Sequence, residues 1–373
     1  MKARVSKIDI LSVNIPFRMK FRHSSASRDV SESIFVRIEL DSGETGFGES
    51  LPRRYVTGED QASVMDDLKR VLPGSTMGRA FDSFEEVIDF CGYFQDLAGA
   101  SKCAHELALL DVFGRYFNRP VSDALNGPKN DRISYSAAIG GDSVFNTALS
   151  AFKYRLYGIR DIKLKVGDGK DLDRLKAVRR FGGKDADVRI DANCAWGPDE
   201  AIEKLTVMRD YNFSVIEQPV KKEDIDSLKK VSDAIPEPVM ADESLCDLKD
   251  ARALAVGRIC DMFNIRISKC GGILDSLKIA GVADSSGISY QLGCQVGESG
   301  VLSAAGRHFA TCVKGVRYME GSYARYLLES DVTAESVDFG YGGLAGPIEG
   351  PGLGVTVDEK ILNRYVTDRV SIR

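Results

Sequence analysis

A chain of 373 residues is too long for one ordinary core and suits a barrel of roughly 250 residues with a smaller domain beside it. Hydrophobic residues at 43% and charged residues at 28% match soluble globular proteins, and no stretch reaches the ~18 unbroken apolar residues of a membrane span. A formal net charge of −5, without a long run of like charge, argues against a nucleic-acid partner and for a small molecule. The start, Met1-Lys2-Ala3-Arg4, is positive but has no apolar stretch of signal-peptide length behind it, so the cytoplasm is the expected location. Cys91, Cys103, Cys194, Cys246, Cys260, Cys270, Cys294 and Cys312 stand singly, with no Cys-x-x-Cys pair, and read as reduced, mostly buried residues.

From Lys7 to Gly48 the pattern predicts antiparallel strands, over 8–13 and 33–40, the second running into the turn Asp41-Ser42-Gly43. Residues 18–31 between them read as a polar loop. Helical spacing takes over from Gln61 to Tyr116, with Leu107, Leu110 and Phe113 on one face. A small α+β domain is therefore expected over 1–128. After Asn126-Gly127-Pro128 short apolar strands alternate with helical segments, the signature of parallel βαβ units. The candidate strands are 133–139, 162–166, 188–192, 215–218, 239–242, 262–268, 289–293 and 316–319. Their ends, counted at Lys165, Asp191, Glu217, Asp242, Lys269 and Cys294, recur at intervals of 26, 26, 25, 27 and 25 residues. A strand, a loop and a covering helix need about that length, so the interval predicts a (β/α) barrel over 129–344. A Gly-rich tail follows, and the segment from about 345 to 373 is expected to return to the first domain as a strand or short helix.

Barrel enzymes carry their chemistry at the C-terminal ends of strands, which all open on one face. Lys163 and Lys165, two apart on one strand, point to the same side. Asp191, Glu217 and Asp242 end the next three strands and Lys269 ends the sixth. Acids at strand ends often only cap loops or helices, but equal spacing on consecutive strands favours a converging set. Three carboxylates at one mouth repel one another unless a cation lies between them, and an all-oxygen set favours Mg²⁺, with Mn²⁺ as the alternative. Glu243 stands beside Asp242 as a second candidate ligand or supporting acid.

A lysine, with a solution pKa of about 10.4, accepts a proton near neutrality only if burial or nearby positive charge disfavours its ammonium form. Lys163 and a metal would supply that charge to Lys165. Lys163 itself tunes the first base, binds the substrate carboxylate or pairs with an acid. Lys269 lies four strands from Lys165 in a ring of eight and would face the opposite side of a substrate. One lysine would remove the proton next to a substrate carboxylate and the other return one, through an enediolate whose charge the metal stabilises.

Taken in order, these residues resemble the motifs of the enolase superfamily, specifically its muconate lactonizing enzyme subgroup, which also contains dipeptide epimerases and o-succinylbenzoate synthases. Lys163-Leu164-Lys165 resembles its Lys-x-Lys; Asp191-Ala192-Asn193, Ile216-Glu217-Gln218-Pro219 and Ala241-Asp242-Glu243-Ser244 resemble its three metal-ligand motifs, and Lys269-Cys270-Gly271-Gly272 its second-base motif. Gly46-Phe47-Gly48-Glu49, Leu109-Leu110-Asp111 and Arg119-Pro120-Val121 are similar to stretches of the capping domain, so the likeness covers nearly the whole chain. It implies an α/β fold: a modified (β/α)7β TIM barrel under an N-terminal α+β capping domain, assembled as a homo-oligomer. It also implies that loops near 21–28 and 52–57 close over the mouth, where His23, Arg28, Arg53, Arg54 and Tyr55 would suit a second anionic group. Asn193 joins them as a substrate-binding candidate.

Two departures bear on the substrate. Dipeptide epimerases commonly end the eighth strand with an Asp-x-Asp pair that holds the substrate's ammonium group, whereas this chain has Glu320-Gly321-Ser322. After the seventh strand, Gly293-Cys294-Gln295-Val296-Gly297-Glu298 places its acid one position later than the family's usual glutamate. Glu298 and Glu320 are retained as substrate-contacting candidates. His105 and His308 fall on helices, so the histidine pair of the mandelate racemase branch is not expected. The expected activity is a Mg-dependent isomerisation, foremost epimerisation or racemisation of a dipeptide or amino-acid derivative. Muconate-type cycloisomerisation and dehydration share the same enolate and stay open, as do a non-catalytic anion-binding barrel and a Schiff-base lysine.

Overall fold

The computed structural model describes residues 2–23, 26–141 and 143–373, and for residues 19–23, 26 and 27 the backbone alone. The N-terminal part holds strands β1 (Val5–Val13), β2 (Pro16–His23), β3 (Ala26–Val30), β4 (Ser33–Leu40) and β5 (Thr45–Ser50), then helices α1 (Arg54–Thr57), α2 (Gln61–Ser75), α3 (Phe84–Tyr93) and α4 (Gly99–Tyr116). Residues 18–31, expected as a loop, are instead mostly the β2–β3 antiparallel hairpin. The alternation of Phe17, Met19 and Phe21 with Arg18, Lys20 and Arg22 gives the period-two pattern of a strand.

The cap sheet runs β16-β1-β4-β5, where β16 (Val366–Ile372) comes from the chain's end and pairs antiparallel with β1. Helix α4 is buried from Ala100 to Gly114 and packs along β5. Glycine makes that approach feasible: a Cβ on Gly48 would lie 2.0 Å from the Ala104 carbonyl oxygen.

The barrel part follows, beginning with β6 (Ile133–Ser134), β7 (Ala137–Ile139), α5 (Val144–Leu156), β8 (Asp161–Lys165), α6 (Asp171–Gly182), β9 (Asp187–Asp191) and α7 (Pro198–Met208). It continues through β10 (Val215–Glu217), α8 (Ile225–Ala234), β11 (Val239–Ala241), α9 (Leu248–Val256), β12 (Met262–Ile265) and α10 (Ile273–Ser286). The last elements are β13 (Ser289–Leu292), α11 (Gly300–Cys312), β14 (Val316–Met319), α12 (Ala324–Leu327), β15 (Leu344–Ala345) and α13 (Glu359–Tyr365). Strands β7 to β14 form an eight-stranded sheet in sequential order, and each strand runs parallel to the next. Its edges meet where the Ser136 amide donates to the Met319 carbonyl at 2.7 Å.

The first barrel strand is shorter than the expected 133–139. Ile133 and Ser134 pair with β15, and only Ala137–Ile139 join the barrel sheet. Between them Tyr135 turns its backbone to Gly343 and its ring into the core.

Along the barrel strands, the residues facing the helices are apolar: Ile162, Leu164, Val188, Ile190 and Ile216 are all fully buried. Inward residues change character with height. A small cluster of Val215, Met240, Met262 and Tyr318 is separate from the main core, and two residues further along the same strands come Glu217, Asp242, Asn264 and Glu320. The barrel therefore has an apolar floor and a charged upper layer. Among the described residues no helix is long and apolar enough to cross a membrane.

Candidate active site

Strand register sets the site's geometry. Lys165 is paired with Asp191, and Asp191 with Glu217, so three chargeable side chains stand at one level on adjacent strands. Asp242 directly follows β11, and Lys269 closes the turn before α10.

Lys163 is the hub. Its buried ammonium lies 3.0 Å from Asp191 Oδ2, 2.9 Å from Glu217 Oε1 and 3.0 Å from Glu320 Oε1. Burial alone would lower its pKa, but the charges of Asp191, Glu217 and Glu320 hold it well above the ordinary lysine value. Lys165 donates to Asp191 Oδ2 at 2.6 Å and to Asn193 Oδ1 at 2.7 Å. Asn193 in turn donates from Nδ2 to Glu243 Oε1 at 3.2 Å.

Across the mouth, Lys269 is 1% exposed and donates to the Asp242 carbonyl at 2.6 Å, Asp242 Oδ1 at 2.9 Å and the Asn264 carbonyl at 2.9 Å. Burial pushes its pKa down, yet Asp242 raises it further, so the net shift is upward.

The carboxylates divide by how much positive charge each one meets. Burial raises Asp191's pKa, but Lys163 and Lys165 outweigh it and hold the group ionised. Asp242 behaves likewise against Arg266 and Lys269. For Glu217, burial and the charge of Asp191 win, and the carboxyl is pushed up to about 8. Burial and Asp242 push Glu243 to about 7, and one of its oxygens, Oε2, is buried without a hydrogen-bond partner.

Among the described residues no three acidic, histidine or cysteine groups are gathered as a finished metal cage. Cationic side chains span the acids instead: Lys163 links Asp191 to Glu217, and Arg266 contacts Asp242 and lies 3.8 Å from Glu217. The donor set still fits a hard cation, because Asp191, Glu217 and Asp242 present fully buried carboxylate oxygens, and burial with the charge of Asp191 outweighs Lys163 at Glu217.

A cavity of about 580 Å³ opens over this layer, and Tyr55, Lys163, Lys165, Asn193, Glu298 and Glu320 all line it. Glu298 accepts the Gln295 amide at 2.6 Å, and burial raises it to about 8. The three arginines are not brought there. Arg53 is 1% exposed beneath the loops, donating to the carbonyls of Pro52, Ser31 and Val296 at 2.8, 2.9 and 2.7 Å. Arg28 and Arg54 line a separate hollow of about 460 Å³, where they pair with Glu32 and Asp60 respectively. The side chain of His23 lies outside the described residues.

Four buried polar residues of the site escaped the sequence reading: Arg189, Asn264, Arg266 and Gln291. Arg189 donates to Glu320 Oε1 at 3.0 Å, and Asn264 to Glu217 Oε1 at 2.9 Å. Gln291 reaches Glu217 and Glu320 at 3.4 and 3.5 Å. The period of two carried the signal, since Arg189 precedes Asp191 by two, and Asn264 precedes Arg266 by two.

Residues 147–361 match the family model described as enolase C-terminal domain-like. The chain is similar to N-succinyl-L-Arg/Lys racemase of Bacillus cereus, 30% identical over 375 residues that cover 99% of this chain and 100% of that protein. The crystal structure of that racemase aligns with a TM-score of 0.91 at 29% identity over 100% of both chains. The chain is also similar to the hydrophobic dipeptide epimerase of Enterococcus faecalis, 30% identical over 315 residues, 84% of this chain and 88% of that protein. A crystal structure of dipeptide epimerase from Enterococcus faecalis, complexed with Mg and the dipeptide L-Leu-L-Tyr, aligns with a TM-score of 0.85 at 28% identity over 95% of this chain and 100% of that one.

Proposed function

The chain belongs to the enolase C-terminal domain-like family and is an isomerase of the enolase superfamily, and on that premise we propose that it racemises or epimerises an amino-acid or dipeptide derivative by 1,1-proton transfer. The observation that carries this reading is the placing of two lysines on opposite sides of one acidic layer. Lys165 is held against Asp191 at 2.6 Å and Lys269 against Asp242 at 2.9 Å. Lys165 ends β8 and Lys269 lies in the turn after β12, and these two strands are four positions apart in the eight-stranded sheet.

We assign Asp191, Glu217 and Asp242 to hold Mg²⁺, with Mn²⁺ as the alternative ion. When bound, the ion supplies positive charge against the carboxylate of the substrate as the α-carbon loses its proton. Lys165 and Lys269 then work on the two faces of that carbon, one taking the proton and the other delivering one. Asn193 orients Lys165 through its 2.7 Å contact, and Lys163 keeps the acids of the layer together. Because the removed and returned protons pass through different lysines, the configuration inverts.

All eight cysteines are free, which supports the reducing cytoplasm as the location. A homo-oligomer is also proposed: α5 leaves Phe145, Leu149, Phe152 and Leu156 exposed at 76, 42, 44 and 63%, in the 4-3-4 spacing with which a helix pairs with a second copy of itself.

The test is α-proton exchange in D₂O, followed by NMR, across a panel of dipeptides and N-acyl amino acids. Lys165→Ala or Lys269→Ala is expected to lower epimerisation by about 10²–10⁴-fold. Each variant should still exchange the enantiomer that faces its remaining lysine. Full epimerase activity in either variant refutes the assignment.

A further inference from the structure

The active-site cavity continues away from the lysines into a wall of rings. Tyr154 and Tyr157 approach from the end of α5, Tyr323 and Tyr326 from around α12, and Phe339 from the following loop. The rings brace one another: Phe339 lies 6.4 Å from Tyr323 and 6.2 Å from Tyr326 between centroids. Three of the four hydroxyls are already engaged: Tyr154 donates to the Ala138 carbonyl at 3.3 Å, Tyr157 to the Phe339 carbonyl at 3.4 Å, and Tyr323 to the Ser136 carbonyl. What the wall offers a ligand is ring surface.

Glu320, the acid that follows β14 in the lysine layer, lines the same cavity and is not open to a ligand's cation. Glu320 is neutralised by Lys163 and Arg189, each 3.0 Å away. Ser322, two residues on, carries no charge and bonds to the Tyr135 hydroxyl at 3.0 Å. Lys153 adds a positive charge to the lining, and Glu298 lies on the loop after β13, closed onto its own backbone. A substrate ammonium carried into the wall would meet Lys153 and no unpaired carboxylate. A cavity of about 580 Å³ is also in the range that encloses ligands well beyond a bare amino acid.

We propose that this wall is a subsite for a bulky, uncharged apolar group, best an aromatic ring, so that amino acids blocked at nitrogen by an apolar acyl group are turned over in preference to substrates ending in a free ammonium. The inference rests on the proposed proton-transfer reaction and names its substrate class.

Four compounds sharing one reacting residue test it: N-benzoyl-, N-acetyl- and N-succinyl-alanine, and glycyl-alanine. Each is given to the Mg²⁺-loaded protein for α-proton exchange in D₂O, and calorimetry reads binding without turnover. The expected kcat/KM for N-benzoyl-alanine exceeds that for N-acetyl-alanine by about tenfold or more, with the same order in Kd, and glycyl-alanine comes last. Tyr157→Ala and Tyr326→Ala remove rings that are 39% and 52% exposed, outside the core, and should each shrink the benzoyl-to-acetyl ratio. Exchange of all four at similar rates, or fastest with glycyl-alanine or the succinyl compound, overturns the subsite and leaves the reaction standing. Absence of exchange from all four counts against the reaction, and the calorimetric order then decides the subsite: equal Kd values for the benzoyl and acetyl compounds overturn it.

Discussion

Glu320 shows how one side chain can be held by the charges around it. Burial penalises its ionised form, but Lys163 and Arg189 keep it ionised, with its pKa below the ordinary glutamate value. All three are buried, so each depends on the others for neutralisation. Glu320→Gln should therefore strand Arg189, whose other partners are the Ser136 hydroxyl and the face of the Tyr318 ring 4.1 Å away. The expected cost is roughly 3 kcal/mol, the scale for removing one member of a buried pair, read as a fall in the denaturant midpoint at constant slope. A change below about 1 kcal/mol, the scale of an exposed pair, would show that Glu320 is not part of the network. At this scale the sequence was legible where residues end strands, and one layer down it left only the period of two as a trace. Arg189 and Asn264 look like ordinary strand polar residues until the opposite strands are in place, because what makes them part of the site is long-range pairing.

Elements were legible wherever periodicity was strong. The alternating β4 and the evenly spaced barrel strands declare themselves through apolar pattern and interval, which depend on local geometry. The first barrel strand broke the expectation because its break is imposed from afar, by Gly343 and β15 docking on Tyr135 and β6. Packing between elements leaves a different trace, glycine, as at the β5–α4 contact. There Gly48→Ala would place a methyl group 2.0 Å from the Ala104 carbonyl oxygen and 2.5 Å from the Ala108 nitrogen. Both neighbours are helix backbone, so the helix must retreat as a body. An overpacking cost of about 1–3 kcal/mol is expected, measurable by thermal unfolding. Wild-type stability in Gly48→Ala would mean that α4 is less tightly seated than its burial indicates.

The two halves of the molecule meet through the cap's acids and the starts of barrel helices, next to the elements that carry the site. Glu49 accepts from the Ser299 and Leu302 amides, at 3.1 Å each, where α11 begins. Glu106 of α4 accepts the Leu274 amide at 3.2 Å where α10 begins, five residues after Lys269. Gly272, between them, has φ +107, and a Cβ there would sit 2.4 Å from Glu106 Oε1. The nearest charges, Lys102 and Asp275, are already paired with each other at 2.5 Å. Burial is thus the dominant influence on Glu106 and pushes its pKa from the ordinary 4.5 up to about 8. Between those two values the unfolded chain has released this proton while the folded protein still holds it. Fewer protons are bound in the unfolded state, so this group's contribution to stability declines as pH rises through the window and levels off above about 8. The full decline is on the order of 5 kcal/mol, at about 1.4 kcal/mol per unit of pKa. Glu106→Gln keeps an oxygen for the Leu274 amide and removes the titration. Melting curves taken from pH 5 to pH 9 should show the variant gaining on the wild type by several degrees as pH increases, with the gain saturating above about pH 8. If the two melting temperatures instead run parallel across that range, Glu106 does not carry a buried proton at the junction of cap and barrel.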